Sequence, residues 1–199
     1  MGAPPHLLVA VSDADSARPT RAELEAARDR LVPDVLAPNL SVLFCGINPG
    51  LYSGWMGHHF ARPGNRFWKA LHQSGFSDRL LHPREDGLLP LFGCGLTNLV
   101  SRATARADEL AAEELRAGRQ RLERVVQTWQ PRLLAVLGVG AYRTAFAQPQ
   151  AGLGLQADRL AGARLWVLPN PSGLNAHYSL GELVALFREV REFAWDGTN

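Results

Sequence analysis

Three short and almost uninterrupted apolar runs restrict the folds open to this chain. They cover residues 41–46, 93–100 and 132–138. An apolar run that does not alternate with polar residues indicates a strand buried on both faces, which is the usual state of a strand in a parallel sheet. The sequence therefore predicts a sheet whose two faces are both covered.

Helical patterns and turn residues separate these runs. Thr20, with Glu23 three residues later, predicts the start of a helix over 21–30. Further helices are predicted over 65–75, 108–129, 141–146 and 179–193, with a long glycine-rich loop up to residue 64 and a hairpin made of strands 153–160 and 164–168. Because strand and helix alternate, we predict an α/β fold, a single three-layer αβα domain with a mostly parallel central sheet.

Length and composition fit one folded unit. The chain has 199 residues, and apolar residues make up 46% of it. Residues 1–20 lack periodicity and are predicted to form a disordered tail, so that the domain covers 21–199. There is no apolar run long enough to cross a bilayer and no signal-peptide pattern, so we expect a cytoplasmic protein that does not bind membranes.

The cysteine and charge content excludes several kinds of site. Cys45 and Cys94 lie in apolar or glycine-rich runs and are expected to be buried and reduced. Two cysteines are too few for a four-cysteine zinc site or an iron–sulfur cluster, and we expect neither a metal nor a cofactor. The net charge of +2 is weak evidence for a nucleic-acid partner, although arginine supplies every Lys or Arg position except Lys69.

Two loops after buried strands carry the residues best suited to chemistry. Ligands of open α/β sheets bind outside the carboxyl ends of the strands, where residues 46–50 and 169–174 are predicted to lie. Each loop presents an asparagine, Asn48 or Asn170, directly after its strand. Neither loop has the Lys-Ser/Thr pair of a phosphate-binding loop, and the chain has no Gly-x-Ser-x-Gly nucleophile turn.

These loops resemble the motifs of the mismatch-specific uracil- and thymine-DNA glycosylase family. The first motif combines Gly-Ile-Asn-Pro-Gly (46–50), Gly-His-His-Phe (57–60) and Pro-Gly-Asn-Arg-Phe-Trp-Lys (63–69), and the second is Leu-Pro-Asn-Pro-Ser-Gly-Leu (168–174). Order and spacing also match, and the likeness runs from about residue 31 to about residue 191. It implies the uracil-DNA glycosylase fold and a monofunctional hydrolase of N-glycosyl bonds in base-excision repair.

The chemistry of such an enzyme explains these residue types. The glycosidic bond is inaccessible in stacked DNA, so the nucleotide must be flipped into a pocket. Cleavage develops positive charge on the sugar and negative charge on the departing base. The site must therefore hold a water near the sugar and offer hydrogen-bond donors to the base.

The resemblance assigns the first motif to the base and the water. Asn48 would be the catalytic residue that positions the water, Phe60 would stack on the flipped base, and backbone amides near Ile47 and Phe60 would bind its polar edge. An amide barely accepts a proton, so we expect a slow enzyme that works best on bases that leave easily. His58 and His59 are expected to be exposed loop residues near phosphate or base, and their adjacency does not suit a metal site.

The second motif is assigned to DNA contact. Leu174 matches a residue that wedges into the base stack, Gly173 lets backbone approach closely, and Ser172 belongs to the same DNA-binding loop. Asn170 is expected to contact the DNA backbone or the edge of the site. The implied partner is double-stranded DNA carrying uracil, or thymine or ethenocytosine mispaired with guanine, bound by a monomer.

Several charged residues have open interpretations. By topology Asp108 opens on the same edge of the sheet as Asn48, and it either assists the water or caps the following helix. An arginine group either holds DNA phosphates or consists of ordinary surface charges. That group comprises Arg62, Arg66 and Arg102. Three acidic residues of the connector before the second strand are expected to be solvated: Asp78, Glu85 and Asp86.

Two other functions compete with a glycosylase. A non-catalytic DNA-damage binding module would keep Phe60 and Leu174 but would not need Asn48. A nucleotide-handling α/β enzyme would use the Gly46 loop for phosphate, but the chain lacks the Lys-Ser/Thr pair and an acidic residue placed for ribose. Excision of uracil from a duplex, binding without excision, or affinity for ATP or NAD would separate the three.

Overall fold

Five strands form one mostly parallel sheet in the computed structural model, which describes residues 18–175 and 177–196. The strand order is β2-β1-β3-β5-β4, and only the edge strand β4 runs antiparallel, against β5. The strands are β1 Val42–Gly46, β2 Cys94–Asn98, β3 Leu133–Leu137, β4 Gly154–Leu160 and β5 Ala163–Leu168. The predicted α/β fold and its hairpin are confirmed.

Helices cover both faces of this sheet. One face packs against α3 and α6, and the other packs against α4 and α5. The α-helices are α1 Arg21–Glu25, α2 Leu51–Met56, α3 Phe67–Gln73, α4 Ala112–Trp129, α5 Val139–Ala145 and α6 Leu180–Asp196, with 3-10 segments at Pro83–Phe92 and Ala107–Glu109. The arrangement is the predicted three-layer domain.

Strand β1 corresponds to the apolar run predicted over residues 41–46. Phe44 lies in the core shared with α3 and α6, whereas Leu43 and Cys45 lie in the core shared with α4 and α5. The Phe44 ring centroid is 5.5 Å from those of both Phe67 and Phe187. All five residues of β1 are buried because neither face of the strand meets solvent.

The structure corrects three predicted boundaries. The first helix ends at Glu25 rather than residue 30, and the left-handed Asp29 (φ 61°) completes the turn after it. The predicted loop after β1 contains α2, whose short glycine-bearing sequence gave no helical period. Helix α4 starts at Ala112, because Ala107–Glu109 form a separate 3-10 turn and Leu110 is extended.

The chain before α1 is only partly described. Residues 1–17 of the predicted tail lie outside the described residues. Thr20 caps α1: its Oγ1 accepts from Glu23 N at 3.2 Å, and its own N–H donates to Glu23 at 2.7 Å, as the capping pattern predicts. Across 18–175 and 177–196, no helix combines the length and apolarity needed to span a bilayer.

Candidate active site

A cavity of about 640 Å³ opens at the carboxyl edge of the sheet. The ends of three parallel strands reach it through Gly46, Asn98 and Leu137, and Asn170 enters from the loop after β5. This is the edge at which the sequence predicted that the two motifs would meet. The cavity brings together the predicted residues Ile47, Asn48, Phe60, Asp108, Asn170, Ser172 and Leu174.

The orientation of Asn48 is fixed by its partners. Its Nδ2 donates to the Arg102 carbonyl at 3.1 Å and to Thr104 Oγ1 at 2.7 Å. The Thr104 hydroxyl donates its one hydrogen to the Arg106 carbonyl at 2.7 Å. It can therefore only accept a hydrogen bond from Asn48. Because the nitrogen end faces acceptors, the carbonyl oxygen of Asn48 is the end left for a ligand in the cavity.

Thr104 is a site residue that the sequence analysis did not single out. The residue is 1% exposed and lines the cavity. Its backbone N–H donates to the Pro49 carbonyl at 3.1 Å, which ties the loop after β2 to the loop after β1. A polar loop after a parallel strand was the available signal, since such loops share the edge that carries Asn48.

Phe60 lies on the cavity wall. It has a left-handed backbone (φ 53°), and its ring stacks on Phe67 with centroids 4.1 Å apart and planes inclined by 20°. A Cβ on Gly46 would lie 3.3 Å from the tip of this ring. Glycine at 46 therefore leaves room for the aromatic wall beside Asn48.

Asn98, at the end of β2, is a second residue that the sequence analysis missed. It is 4% exposed, and its Nδ2 lies 3.4 Å from His59 Nδ1. His59 Nε2 donates to the Pro33 carbonyl at 2.9 Å. Burial lowers the pKa of His59, so the ring is neutral and Nδ1 accepts from Asn98.

The other end of the Asn98 amide faces the cavity floor. Its Oδ1 would lie 2.4 Å from a Cβ on Gly46, so only glycine at 46 permits this arrangement. Arg121 donates to the Asn98 backbone carbonyl at 3.1 Å and forms an ion pair with Asp34. Backbone and side chain of Asn98 are thus both held, with an acceptor oxygen presented beside Gly46.

The predicted environments of His59 and Asp86 are wrong. His59 is 2% exposed rather than an exposed loop residue, and Asp86 is 7% exposed rather than solvated. Asp86 accepts from the His59 backbone N–H at 3.2 Å and lies 3.0 Å from His58 Nδ1. The Asp86 carboxylate can be buried because it accepts hydrogen bonds from the turn that precedes Phe60.

The second motif forms a tight loop, here called the wedge loop (residues 169–175). Asn170 Oδ1 accepts from Ser172 N at 3.0 Å, and Ser172 Oγ accepts from Leu174 N at 3.3 Å. A Cβ on Gly173 would lie 2.7 Å from the Gly64 carbonyl oxygen, so the loop needs glycine for its close approach to the first motif. Leu174 is 68% exposed at its tip.

Asp108 lies on the cavity rim rather than at a helix start. It is exposed and forms an ion pair with Arg106, Nη2 to Oδ2, at 2.6 Å. The predicted cap is wrong, because α4 begins three residues after the turn that contains Asp108, and Glu114 accepts from the N-cap Ala111 at 3.0 Å. Its place on the rim beside the loop of Asn48 leaves the catalytic hypothesis to experiment.

The three arginines proposed for phosphate contact have different environments. Arg102 is bound by Glu114 (2.7 and 3.0 Å) and Asp29 (3.1 Å), and the Arg102 guanidinium lowers the pKa of Glu114 to about 2. Arg66 is bound by backbone carbonyls of the wedge loop. Arg62 is exposed at the cavity and is the member best placed for an external anion.

The two cysteines have the buried environment that the sequence predicted. Cys45 and Cys94 are free, fully buried thiols, and burial raises the pKa of both. Within the residues the structure describes, no three His, Cys, Asp or Glu side chains are grouped as metal ligands.

Comparison with known proteins gives two results. The sequence profile of the uracil DNA glycosylase superfamily matches residues 33–195, most of the chain. The solution NMR structure of a protein from Methanosarcina acetivorans, described as a candidate uracil DNA glycosylase, is similar with a TM-score of 0.53 and 23% sequence identity. The match covers 82% of this chain and 98% of the other, and it shows a shared fold.

Proposed function

The chain belongs to the uracil DNA glycosylase superfamily, and on that premise we propose that it is a monofunctional, mismatch-specific glycosylase of base-excision repair. It removes uracil, and thymine or ethenocytosine mispaired with guanine, from double-stranded DNA, and it acts as a monomer. The observation that carries this proposal is the fixed amide of Asn48, whose carbonyl oxygen is left for a water in a cavity walled by Phe60.

Hydrolysis in this site proceeds without a strong base. The Asn48 carbonyl oxygen accepts from the attacking water and orients its lone pair toward the anomeric carbon. The bond from sugar to base breaks as positive charge develops on the sugar, and the base leaves as an anion. The water adds to the anomeric carbon, and the proton it releases passes to the departed base or to solvent. Stacking of the base on Phe60 contributes about 1–3 kcal/mol, and the departing base, rather than Asn48, accounts for most of the driving force.

Asn98 supports uracil and thymine as preferred bases. Its Oδ1 is an acceptor, and one hydrogen on Nδ2 remains after the contact with His59. Uracil and thymine present a complementary N3–H donor and O4 acceptor, whereas cytosine presents an acceptor at N3. Cytosine would leave the acceptor oxygen of Asn98 unpaired, which disfavours it. Ethenocytosine also lacks the N3–H, so we expect it to be excised more slowly than uracil.

The lysine content supports a monofunctional enzyme. A glycosylase that also cleaves the strand needs an amine nucleophile at the sugar. Lys69 is the only lysine of the chain, and it is exposed on α3 and does not line the cavity. Alkali should therefore be needed to break the strand at the abasic product.

The test is single-turnover incubation with a duplex that contains uracil opposite guanine, followed by alkali. The wild-type protein should give scission that is lost in Asn48→Ala, with Gln127→Ala, exposed on α4, as the control. Binding without scission by the wild type would favour the DNA-damage binding module. A panel with uracil, thymine or ethenocytosine opposite guanine or adenine then tests the mismatch preference.

Asp108 is proposed as a second group that stabilises the cationic sugar or assists the water. Its carboxylate is on the rim of the cavity, where it forms an ion pair with Arg106. Asp108→Asn should slow single-turnover excision while the protein stays folded. An unchanged rate in this variant would leave Asn48 as the only catalytic side chain.

A further inference from the structure

We propose that Arg66 is a positioning residue that holds the wedge loop in its DNA-inserting conformation before DNA binds. This role rests on the proposed function, because it assumes that Leu174 enters the base stack when uracil is flipped. It departs from the phosphate contact that the sequence suggested for this arginine.

The partners of the Arg66 guanidinium are backbone carbonyls of one short segment. Nη2 donates to the carbonyls of Ser172 and Asn175, both at 2.8 Å, and Nε donates to that of Pro171 at 3.4 Å. Nη1 donates to the carbonyl of Tyr178. A guanidinium has five N–H donors, and these contacts occupy four of them, which leaves little capacity for a phosphate.

The loop bound in this way lies directly on the first motif. The Arg66 backbone N–H donates to the Pro171 carbonyl at 3.1 Å, and Gly173 packs against the Gly64 carbonyl. Within the loop, Asn175 Nδ2 donates to the Asn170 carbonyl at 2.9 Å. The backbone and the guanidinium of Arg66, together with the packing of Gly173 on Gly64, therefore hold the wedge loop against the first motif.

This arrangement has a consequence for base flipping. A loop that is ordered only on DNA binding would lose conformational freedom at that step, which weakens insertion. Here Leu174 is 68% exposed on a loop whose carbonyls already have a charged donor. Arg66 thus acts through Leu174, and it should affect flipping more than the electrostatic part of DNA binding.

Arg66→Lys is the informative substitution, since it keeps the positive charge but cannot span several carbonyls with a planar fork. Flipping is measured by the fluorescence of 2-aminopurine beside a non-cleavable 2′-fluoro-deoxyuridine in a duplex. We expect the flipped fraction and the uracil excision rate to fall about tenfold or more. Arg124→Lys, exposed on α4 across the sheet, is the matched control and should resemble wild type.

Two further measurements distinguish this role from a phosphate contact or a general structural one. Arg66→Gln should keep the wild-type slope of log Kd against log salt, whereas loss of a phosphate contact would lower the slope by about 0.9 and overturn the proposal. Arg66→Lys combined with Leu174→Ala should be little worse than Leu174→Ala alone; additive losses would mean that Arg66 does not act through Leu174.

If Arg66→Lys does not fold, Gly173→Ala tests the same idea, because the added Cβ lifts the loop from Gly64. It should reduce flipping with an unchanged salt slope, and wild-type flipping in this variant would contradict a need for the fixed loop. Absence of uracil excision by the wild type would refute the proposed function. Excision by wild type with normal flipping in the Arg66 variants would refute only the present inference.

Discussion

Several side chains in the cavity are oriented by hydrogen bonds to backbone carbonyl groups. Carbonyl groups can only accept, so the Arg102 and Arg106 carbonyls fix the directions of Asn48 and Thr104. In the same way, the Pro33 carbonyl fixes the hydrogen of His59 on Nε2 and turns its Nδ1 toward Asn98. Two amides that would otherwise be free to rotate are thereby each held in one orientation.

Thr104→Val tests the hydrogen bonds that run from Asn48 through Thr104 to the Arg106 carbonyl. Valine keeps the shape but removes the acceptor for Asn48 and the donor for the Arg106 carbonyl, so Asn48 loses its shortest contact and is held by the Arg102 carbonyl alone among these partners. We expect the single-turnover rate of uracil excision to fall about tenfold or more, and stability to fall by about 1–3 kcal/mol. Thr128→Val, exposed on α4, is the control, and an unchanged excision rate in Thr104→Val would contradict the role of this hydroxyl.

His59 predicts a pH dependence of stability. Burial lowers its pKa below the ordinary 6.5, so below pH 6.5 the unfolded chain binds a proton that the folded protein refuses. Stability is therefore full above 6.5 and falls as the pH drops toward the lowered pKa, by at most about 1.4 kcal/mol per pH unit.

Urea unfolding at pH 7.5 and 5.5 measures this effect. In His59→Phe the pH-dependent loss should be smaller than in wild type, whereas the exposed His177→Phe should keep it. Equal losses in wild type and His59→Phe would show that His59 is not held neutral.

At the scale of elements, the site depends on how closely the ends of β1 and β2 approach each other. The two strands pair in parallel up to Gly46 and Asn98. At that point the absent side chain of Gly46 makes room for Asn98 Oδ1 and for the ring of Phe60. The backbone of Gly46 needs no left-handed conformation, so space rather than φ requires the glycine.

Gly46→Ala should therefore damage the site. Its Cβ would lie 2.4 Å from Asn98 Oδ1, which forces the amide out of place. We expect uracil excision to fall about tenfold or more and stability to fall by about 1–3 kcal/mol from overpacking. Gly87→Ala, which meets no atom within 4 Å, should behave as wild type, and full excision by Gly46→Ala would rule out this packing constraint.

At the scale of the whole molecule, the sheet is the part least able to open locally. Strand β1 and the edge strand β2 are completely buried, and each carries one thiol. Regions of this kind exchange with solvent only through large or global opening. The site at the edge of the sheet is therefore built on a rigid platform, while the exposed wedge lies on a surface loop.

Thiol labelling measures this rigidity. Burial of Cys45 and Cys94 and the raised pKa of both thiols predict negligible reaction with a thiol reagent in the native state. The denaturant dependence of labelling should follow that of global unfolding for both residues. Fast labelling of either cysteine in the native protein would contradict this description of the sheet.

The sequence by itself determined the layered α/β fold and the edge on which the site lies. Continuous apolar runs such as 41–46 can be buried only between two layers, and strand ends of a parallel sheet share one edge. Strand topology placed Asn48 and the wedge loop at one edge, and the family resemblance assigned Phe60 to the same site. The boundary errors lie in short or glycine-bearing segments such as α2, where local periodicity is weak.

The tertiary structure alone decided which groups face one another. Thr104 and Asn98 are ordinary polar residues in sequence, and only the pairing of β1 with β2 brings them to Asn48 and His59. His59 and Asp86 have polar side chains that predict exposure, yet long-range hydrogen bonds hold them inside. The motif after β1 could be identified from sequence because its pattern is local, whereas the partners that orient Asn48 come from 54 and 56 residues away along the chain.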